Sequence, residues 1–388
     1  MDKPLMPKEE FPIFRNNPGL IFLDSAASTQ KPKEVIDSMS DFYSSSYANI
    51  HRGMYKLSER ATNAYEDARK AAASLIGAKP EEIIFTKNAT EALNLVAYVL
   101  EPESYAVSVM EHHSNFVPWQ TIAGYRKKKI HYVDIDDEGF FRPLPKAGLY
   151  ALSAASNVLG TLNDMKKICK EIRDNKAVSV IDATQIVPHA KFNVNDAGCD
   201  FAAFSGHKML GPTGIGILYV RDGILDKARP FLFGGDMIRS VGVEGTEFSN
   251  VPYKYEAGTP PIAETVGLAK AIEVLKRIGM DNVRKHEMGL TKYMLERISE
   301  MKKITQYGPK DVQKRAGVVA FNVDGMHAND VGYFLSAKNI AIRGGHHCAM
   351  PLHKRLGITG SARASFYVYN DKADVDKLLD ALSAIGFR

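Results

Sequence analysis

Cysteine is scarce in this chain: Cys169, Cys199 and Cys348 are the only three thiols in 388 residues, and no Cys-x-x-Cys pair occurs. A small, odd count excludes a disulfide scaffold and points to a reducing compartment. An excess of one charge sign is lacking too. Fifty basic and 45 acidic side chains leave a net charge of +5, which falls short of the concentrated basic face that nucleic-acid binding requires. The densest basic run, Arg126-Lys127-Lys128-Lys129, reads as a solvated helix end leading into a strand. No apolar run approaches the roughly 18 residues of a membrane helix. Met1 to Phe14 mixes lysine, glutamate and proline where a secretory leader would be apolar. The expectation is a soluble, cytoplasmic protein with neither nucleic acid nor membrane as partner. Internal repeats and low-complexity linkers are also missing.

What is present is ordinary globular material. Hydrophobic residues make up 45% and charged residues 24%, enough apolar content to bury a large core. The length allows two domains. From about residue 60 to 220, helical and strand patterns alternate. Ala61 to Leu75, Thr90 to Leu100 and Met165 to Arg173 have helical spacing. Short apolar strands are expected at Glu82–Thr86, Tyr105–Met110, Ile130–Val133, Leu149–Ser153, Val178–Ile181, Phe201–Phe204 and Gly216–Val220. Apolar strands separated by helices argue for an α/β fold with a mostly parallel sheet sandwiched by helices. Helical patterns at 262–278 and 281–299 follow. An α+β region of about 100 residues comes next, with strands at 317–323, 340–343 and 364–369 and helices at 328–338 and 372–385.

Ligands of open α/β sheets bind at the carboxyl ends of the strands. Read in order, those ends carry Lys87-Asn88-Ala89-Thr90 at a helix start, Glu111-His112-His113, Ala154-Ala155-Ser156-Asn157, Asp182 with Gln185 three residues on, and Ser205-Gly206-His207-Lys208. Each alone has a commoner structural use as a cap, a turn or a surface residue. Together they supply a lysine, a carboxylate, a flat imidazole, and hydroxyl and N–H donors beside a helix N-terminus. Pyridoxal phosphate needs that set. Its aldehyde takes a lysine as a Schiff base, its pyridine nitrogen a carboxylate, its phosphate N–H and O–H donors, and its ring an aromatic face.

The stretch Phe204-Ser205-Gly206-His207-Lys208-Met209-Leu210-Gly211-Pro212-Thr213-Gly214 resembles the cofactor-lysine segment of class V, fold type I, aminotransferase-like enzymes. More narrowly it resembles their Suf-type cysteine desulfurase and selenocysteine lyase group. Further matches are Leu23-Asp24-Ser25-Ala26-Ala27-Ser28, Asn49-Ile50-His51-Arg52-Gly53, Glu111-His112-His113-Ser114-Asn115, Ser156 to Thr161, Glu256 to Pro260 and Arg343 to Ala349. They span nearly the whole chain. The resemblance implies a large cofactor domain over 19–262 and a smaller α+β domain made of 1–18 and 263–388.

It also implies roles. Lys208 holds the cofactor and moves the substrate's Cα proton. Asp182 pairs with the ring nitrogen, Gln185 with the phenolic oxygen, and His112 stacks on the ring and assists proton transfer. Thr90, Ser205 and His207 hold the phosphate, while Thr259 reaches the phosphate of the other subunit of a homodimer. Asn157 and Arg363 bind the substrate carboxylate, an arginine fork being suited to bidentate contact. Arg343 and His51 are further contributors from the same or the partner subunit. Asn88-Ala89 departs from the group's Gly-Thr at this place and removes one hydroxyl near the phosphate. Thr184 stands where alanine is usual.

The three thiols then separate. Cys169 lies within a helical pattern and Cys199 precedes a strand, both settings where cysteine acts as a small hydrophobe. Cys348 follows Gly344-Gly345 and adjoins His346 and His347, neighbours able to lower a thiol's pKa or take its proton. Three adjacent residues cannot readily face one ion, so no metal is expected. The resemblance makes Cys348 the nucleophile. It takes the sulfur of L-cysteine as a persulfide and leaves L-alanine, for delivery to a sulfur-acceptor protein or Fe–S scaffold. L-Selenocysteine as substrate and another class V aminotransferase activity are the alternatives. A non-catalytic binding protein would have little reason to keep both Lys208 and Asp182.

Overall fold

The computed structural model describes residues 3–385. Strands β1 (Ile83–Thr86), β2 (Ser104–Ser108), β3 (Lys129–Val133), β4 (Leu149–Ser153), β5 (Val178–Asp182), β6 (Phe201–Ser205) and β7 (Gly216–Val220) form a seven-stranded sheet in the order β1-β7-β6-β5-β4-β2-β3. Strand β7 runs antiparallel to β1 and β6, and the other pairings are parallel. β4, β6 and β7 are buried at every position. Both faces of a parallel sheet must therefore be covered, and alternate residues go to opposite sides. Ile83 and Phe85 pack with Ala61, Tyr65 and Leu268 on one face, where helices Lys56–Ile76 and Ile262–Ile278 lie. Ile84 packs with Leu93 and Trp119 on the other, under helices Ala89–Val99 and Val117–Tyr125.

Downstream, β8 (Ile304–Tyr307), β9 (Val318–Val323), β10 (Arg343–Gly345) and β11 (Ser361–Ser365) make an antiparallel sheet in the order β8-β9-β11-β10. Its core takes Leu290 and Met294 from helix Met280–Ser299, Leu335 from Ala328–Ser336 and Leu378 from Lys372–Ile385. The N-terminal segment reaches both cores. Met6, Phe11 and Phe14 join Tyr367 and Tyr369 in the main cluster, and Ile21–Phe22 pairs in parallel with Ile340–Ala341. Residues 1–2 and 386–388, the outermost parts of the small domain expected from the sequence, lie outside the described residues.

Most of the expected elements are found with ends shifted by a few residues. Two strands differ more. The expected strand 340–343 is two: Ile340–Ala341 pairs with the N-terminal segment, and Arg343–Gly345 joins the small sheet. A period-two pattern cannot show a strand changing partners within three residues. The expected strand 364–369 lies earlier, at Ser361–Ser365. Phe366 to Tyr369 stay apolar because they are fully buried, but their backbone leaves the ladder, with Tyr367 N donating to Asn370 Oδ1 at 2.9 Å. Arg126 is more than a solvated helix end. It donates to the carbonyls of Ala97, at 3.2 Å, of Tyr98, at 2.5 Å, and of Leu100, closing the C-terminus of the preceding helix.

One buried ion pair ties the main sheet to the segment bearing Thr259. Arg69, with its side chain 2% exposed, meets Glu256 through Nη1–Oε1 at 2.7 Å and Nη2–Oε2 at 2.9 Å. Glu256 also accepts from Tyr65 Oη at 2.9 Å and Phe85 N at 2.7 Å. Removing one partner of a buried pair strands the other charge and costs about 3–5 kcal/mol. Glu256→Ala should therefore lower the urea-unfolding free energy by about that amount, with Glu256→Gln losing less.

Candidate active site

The carboxyl ends of β1, β2, β4, β5 and β6 open on one cavity. Its walls include Thr90, His112, Asn157, Asp182, Gln185, Ser205, His207, Lys208, Arg343 and Arg363. Ten of the thirteen residues singled out from the sequence thus meet here. Cys348 sits next to the wall residue His347. Thr259 and His51 do not line the cavity. Thr259 is exposed, and His51 places Nε2 3.3 Å from Glu66 Oε1.

Lys208 follows β6 on a single 3-10 turn and is buried within the cavity. Desolvation lowers its pKa to about 8, and Arg363 and Arg343 push the same way while Asp182 and Asp24 oppose them. Asp182 ends β5, and its Oδ1 accepts from Thr184 N at 2.9 Å. Burial raises its pKa, so the dry carboxyl is best stabilised by a positive partner. His112 accepts from Ser114 N through Nδ1 at 3.1 Å, which leaves the ring proton on Nε2 in the neutral form. Desolvation, then Lys208 and His113, hold its pKa near about 3, so the imidazole is uncharged at neutral pH.

The helix at Ala89–Val99 begins against the cavity. Asn88 is its N-cap, with Oδ1 accepting from Glu91 N at 3.0 Å. Ser205 Oγ accepts from Ala89 N at 2.9 Å, and Thr90 Oγ1 lies 2.7 Å from Ser114 Oγ. The helix start can come this close because residue 216 is glycine: a Cβ there would stand 2.5 Å from Asn88 Cα. His207 Nδ1 lies 3.2 Å from Ser28 Oγ, and the His207 carbonyl accepts from Lys31 Nζ at 3.0 Å. Lys31, partly buried and with its pKa lowered to about 8 by desolvation, adds a positive charge that no sequence pattern marked.

These residues fit pyridoxal phosphate. Gln185 gives Nε2 to Ala26 O at 2.7 Å, yet its buried Oε1 has no partner among the described residues, and neither does Thr184 Oγ1. Buried polar atoms are normally bonded, so orphans on the cavity wall mark a place where a polar ligand belongs. The donors beside the helix start suit a phosphate. Asp182 suits a ring nitrogen and Lys208 an aldehyde.

Cys348 is exposed, whereas Cys169 and Cys199 are buried. Desolvation raises the Cys169 thiol to about 12 and pushes Cys199 well above its ordinary value. Cys348 sits on a strained turn, with φ of 51° at His347 and 55° at Cys348, a left-handed conformation that residues other than glycine rarely adopt. The turn is anchored on several sides. His113 N donates to Cys348 O at 2.6 Å, Asn157 Nδ2 to His347 O at 2.8 Å and Met350 N to His113 Nε2 at 3.2 Å. The two neighbouring histidines have different surroundings. His347 is buried, its Nε2 lies 2.8 Å from Ser361 O and its pKa falls to about 2, mainly by desolvation, so it is no base for the thiol. His346 is exposed.

Sequence reasoning assigned no role to two carboxylates inside its own motifs. Glu111, fully buried, accepts from Ser153 N at 2.9 Å, from Ser153 Oγ and from Asn115 Nδ2 at 2.6 Å. It thereby fixes the base of the His112 segment. Asp24 bonds Arg363 Nη2 at 2.7 Å. The available signal was a carboxylate directly after an apolar residue, Met110 before Glu111 and Leu23 before Asp24.

The class-V aminotransferase family pattern matches residues 21–378. A probable cysteine desulfurase of Halalkalibacterium halodurans is 43% identical over 97% of this chain and 96% of its own length. A cysteine desulfurase of Haloferax volcanii is 43% identical over 94% of this chain and 89% of its own. Among solved structures, the apo cysteine desulfurase of Thermococcus onnurineus superposes with a TM-score of 0.95 at 39% identity, covering 99% of this chain and 98% of that one. A cysteine desulfurase from Escherichia coli gives 0.89 at 33% identity, over 97% and 96% of the two chains.

Only a neutral amine attacks an aldehyde. With Lys208 near about 8, uptake of pyridoxal phosphate by the apoprotein should accelerate as pH rises through about 8 and level off above it. An ordinary lysine would still be accelerating at pH 10. Stopped-flow absorbance across pH 6–10 measures the midpoint. Asp182→Asn, which removes a carboxylate that raises the Lys208 pKa, should move it lower.

Proposed function

The chain belongs to the class-V aminotransferase family, and from that premise we propose that it is a cysteine desulfurase using pyridoxal phosphate, converting L-cysteine to L-alanine with sulfur transfer to Cys348. The observation that carries the reading is the placement of the one exposed thiol on a strained turn beside a cavity built around Lys208 and Asp182. When bound, pyridoxal phosphate supplies an electron sink for the pair released at the substrate's Cα.

The chain's own groups do the rest. Asp182 holds a proton at the ring nitrogen, and the lowered pKa of Lys208 leaves a useful neutral fraction for taking the Cα proton. His112, uncharged, offers a flat ring and an Nε2–H. Arg363 and Asn157 orient the substrate through its carboxylate. Cys348, as thiolate, attacks the substrate's sulfur. The new S–S bond forms as the Cβ–Sγ bond breaks, and the electron pair of that bond stays with the carbon, which is protonated. The enzyme sulfur is oxidised to the persulfide level while the substrate carbon is reduced, so L-cysteine plus thiol gives L-alanine plus persulfide.

The active form is a homodimer in this reading. Thr259 is exposed and outside the cavity of its own chain, as a residue serving the partner's phosphate would be. Tyr47, Met54, Tyr55 and Leu57 are also exposed and offer apolar area to a second copy. No helix among the described residues is long and apolar enough to cross a membrane, and buried, unpaired Cys169 and Cys199 suit the cytoplasm. The persulfide passes to an acceptor protein, such as an Fe–S scaffold.

Cys348→Ala should cut alanine formation from L-cysteine by about 100-fold or more while the absorbance of bound cofactor is retained. Undiminished desulfuration would remove Cys348 from the mechanism. A thiol reagent at pH 7 should label native wild-type protein once per chain and Cys348→Ala not at all.

A further inference from the structure

Ser28 and Thr29 lie on the N-terminal segment, against the 3-10 turn that carries His207 and Lys208. Four donors converge there on one backbone oxygen. The His207 carbonyl accepts from Thr29 N and from Lys31 Nζ, each at 3.0 Å, and from Thr29 Oγ1 at 3.1 Å, and Ser28 Oγ lies 3.2 Å from it. A carbonyl oxygen has two lone pairs, and the bond from the Lys31 cation is the charge-assisted, stronger kind. Ser28 is the farthest of the four and has a second outlet for its proton: its Oγ is also 3.2 Å from His207 Nδ1. The His207 ring lines the cavity, and its Nε2 is neither bonded to a described residue nor sealed from solvent. Desolvation, then Lys208 and Lys31, lower the pKa of the ring to about 4. At neutral pH the ring therefore carries one proton, and the hydrogen bond at Nδ1 decides which nitrogen holds it.

We propose that Ser28 is a positioning residue that fixes the tautomer of His207: with the carbonyl filled by Thr29 and Lys31, the serine hydroxyl donates to Nδ1, and the ring keeps Nε2–H as a donor for the phosphate of the cofactor. The inference rests on the reading of the cavity as a pyridoxal phosphate site with His207 among its phosphate donors. The reverse arrangement works against an anion. If Ser28 gave its proton to the carbonyl, Nδ1–H would have to donate to Ser28 Oγ, and Nε2 would present a bare lone pair. A hydroxyl that does not itself line the cavity thus controls whether a wall residue donates or repels. Lys31 gains a use by the same logic, because its bond to the His207 carbonyl keeps the proton of Ser28 on the ring.

The test compares wild type with Ser28→Ala, Ser28→Thr, Ser28→Cys, His207→Gln and the double variant Ser28→Ala/His207→Gln. Each full-length apoprotein is titrated with pyridoxal phosphate, by equilibrium dialysis, and with pyridoxal, by absorbance. The preference for the phosphorylated form is the ratio of the two dissociation constants. In Ser28→Ala the preference should fall about fivefold or more, with the pyridoxal constant within about twofold of wild type. Ser28→Thr keeps the hydroxyl and should keep the preference. Ser28→Cys, similar in shape with a weaker donor, should lower it too, and it carries the test if Ser28→Ala does not fold. In His207→Gln the amide keeps an N–H whatever its oxygen accepts, so adding Ser28→Ala there should change the preference by less than about twofold. A merely structural serine would weaken both ligands alike, and in either background. Equal losses for the two ligands, or an undiminished effect of Ser28→Ala beside His207→Gln, overturn the tautomer role. A wild type that strongly prefers pyridoxal phosphate, with a Ser28→Ala variant that keeps the preference, overturns this inference alone. A wild type that holds the two ligands equally has no phosphate site in this cavity, and that overturns the reading of the site together with the inference.

Discussion

Keeping Lys208 dry and only weakly charged is the constraint from which the rest of the site follows. Burial and two arginines drive the ammonium toward neutrality, and Asp182 and Asp24 restrain it. Neither pull can be left unbalanced: an unopposed buried ammonium is costly, and a fully paired one is a poor nucleophile and base. The sheet meets the requirement by adjacency. Asp182 ends β5 and Lys208 follows β6, strands paired in parallel with Asp182 opposite Ala203. The antiparallel β7 between β6 and β1 then brings the helix start at Asn88 to Ser205 across Gly216. A donor site for a phosphate and a buried lysine thus come from the same strand order.

The thiol is governed by a different economy of strain. Each left-handed residue other than glycine costs about 1–3 kcal/mol, and His347 and Cys348 are consecutive. Such a turn persists only if its surroundings over-determine it. Here the anchors come from separate parts of the chain: His113 and Asn157 from the main sheet's loops, Ser361 from the small sheet. The turn therefore reports on how the two sheets sit together, and its geometry would be lost if either side moved. The same packing withdraws His347 into the interior, so the thiol's reactivity cannot rest on that ring.

Much of this was legible in the sequence because the inner strands of the large sheet are buried. Leu149–Ser153 and Gly216–Val220 match residue for residue, since strands covered on both faces read as unbroken apolar runs. The short separations between strand ends and polar residues likewise exposed Asp182, Gln185 and Lys208. What stayed hidden is what depends on distant partners. The strand break at Ile342 is caused by the N-terminal segment more than 300 positions away. The burial of His347 depends on Ser361, and the ion pairing of Asp24 on Arg363 and Arg343, each invisible to any local pattern. Helix Lys33–Ser45 and the exposed hairpin Ile238–Phe248 carry no pattern that marks them, and of helix Val117–Tyr125 only the end before the basic run is marked. The hairpin has little burial to impose a pattern.

A nucleophile fixed this firmly gains precision and gives up reach. The hydrogen bonds that hold Cys348 O and His347 O leave the side chain free to rotate but not the backbone to travel. Release of the turn would relieve strain at two residues and break at least two hydrogen bonds to buried or half-buried partners, each worth about 1 kcal/mol and more when a buried group is left unpaired. In the structure these anchors hold the turn against its strain, so a sulfur atom taken by Cys348 stays near the cavity mouth. The exposure of that side chain then has a plain use in the proposed reaction: the acceptor's thiol must come to the persulfide.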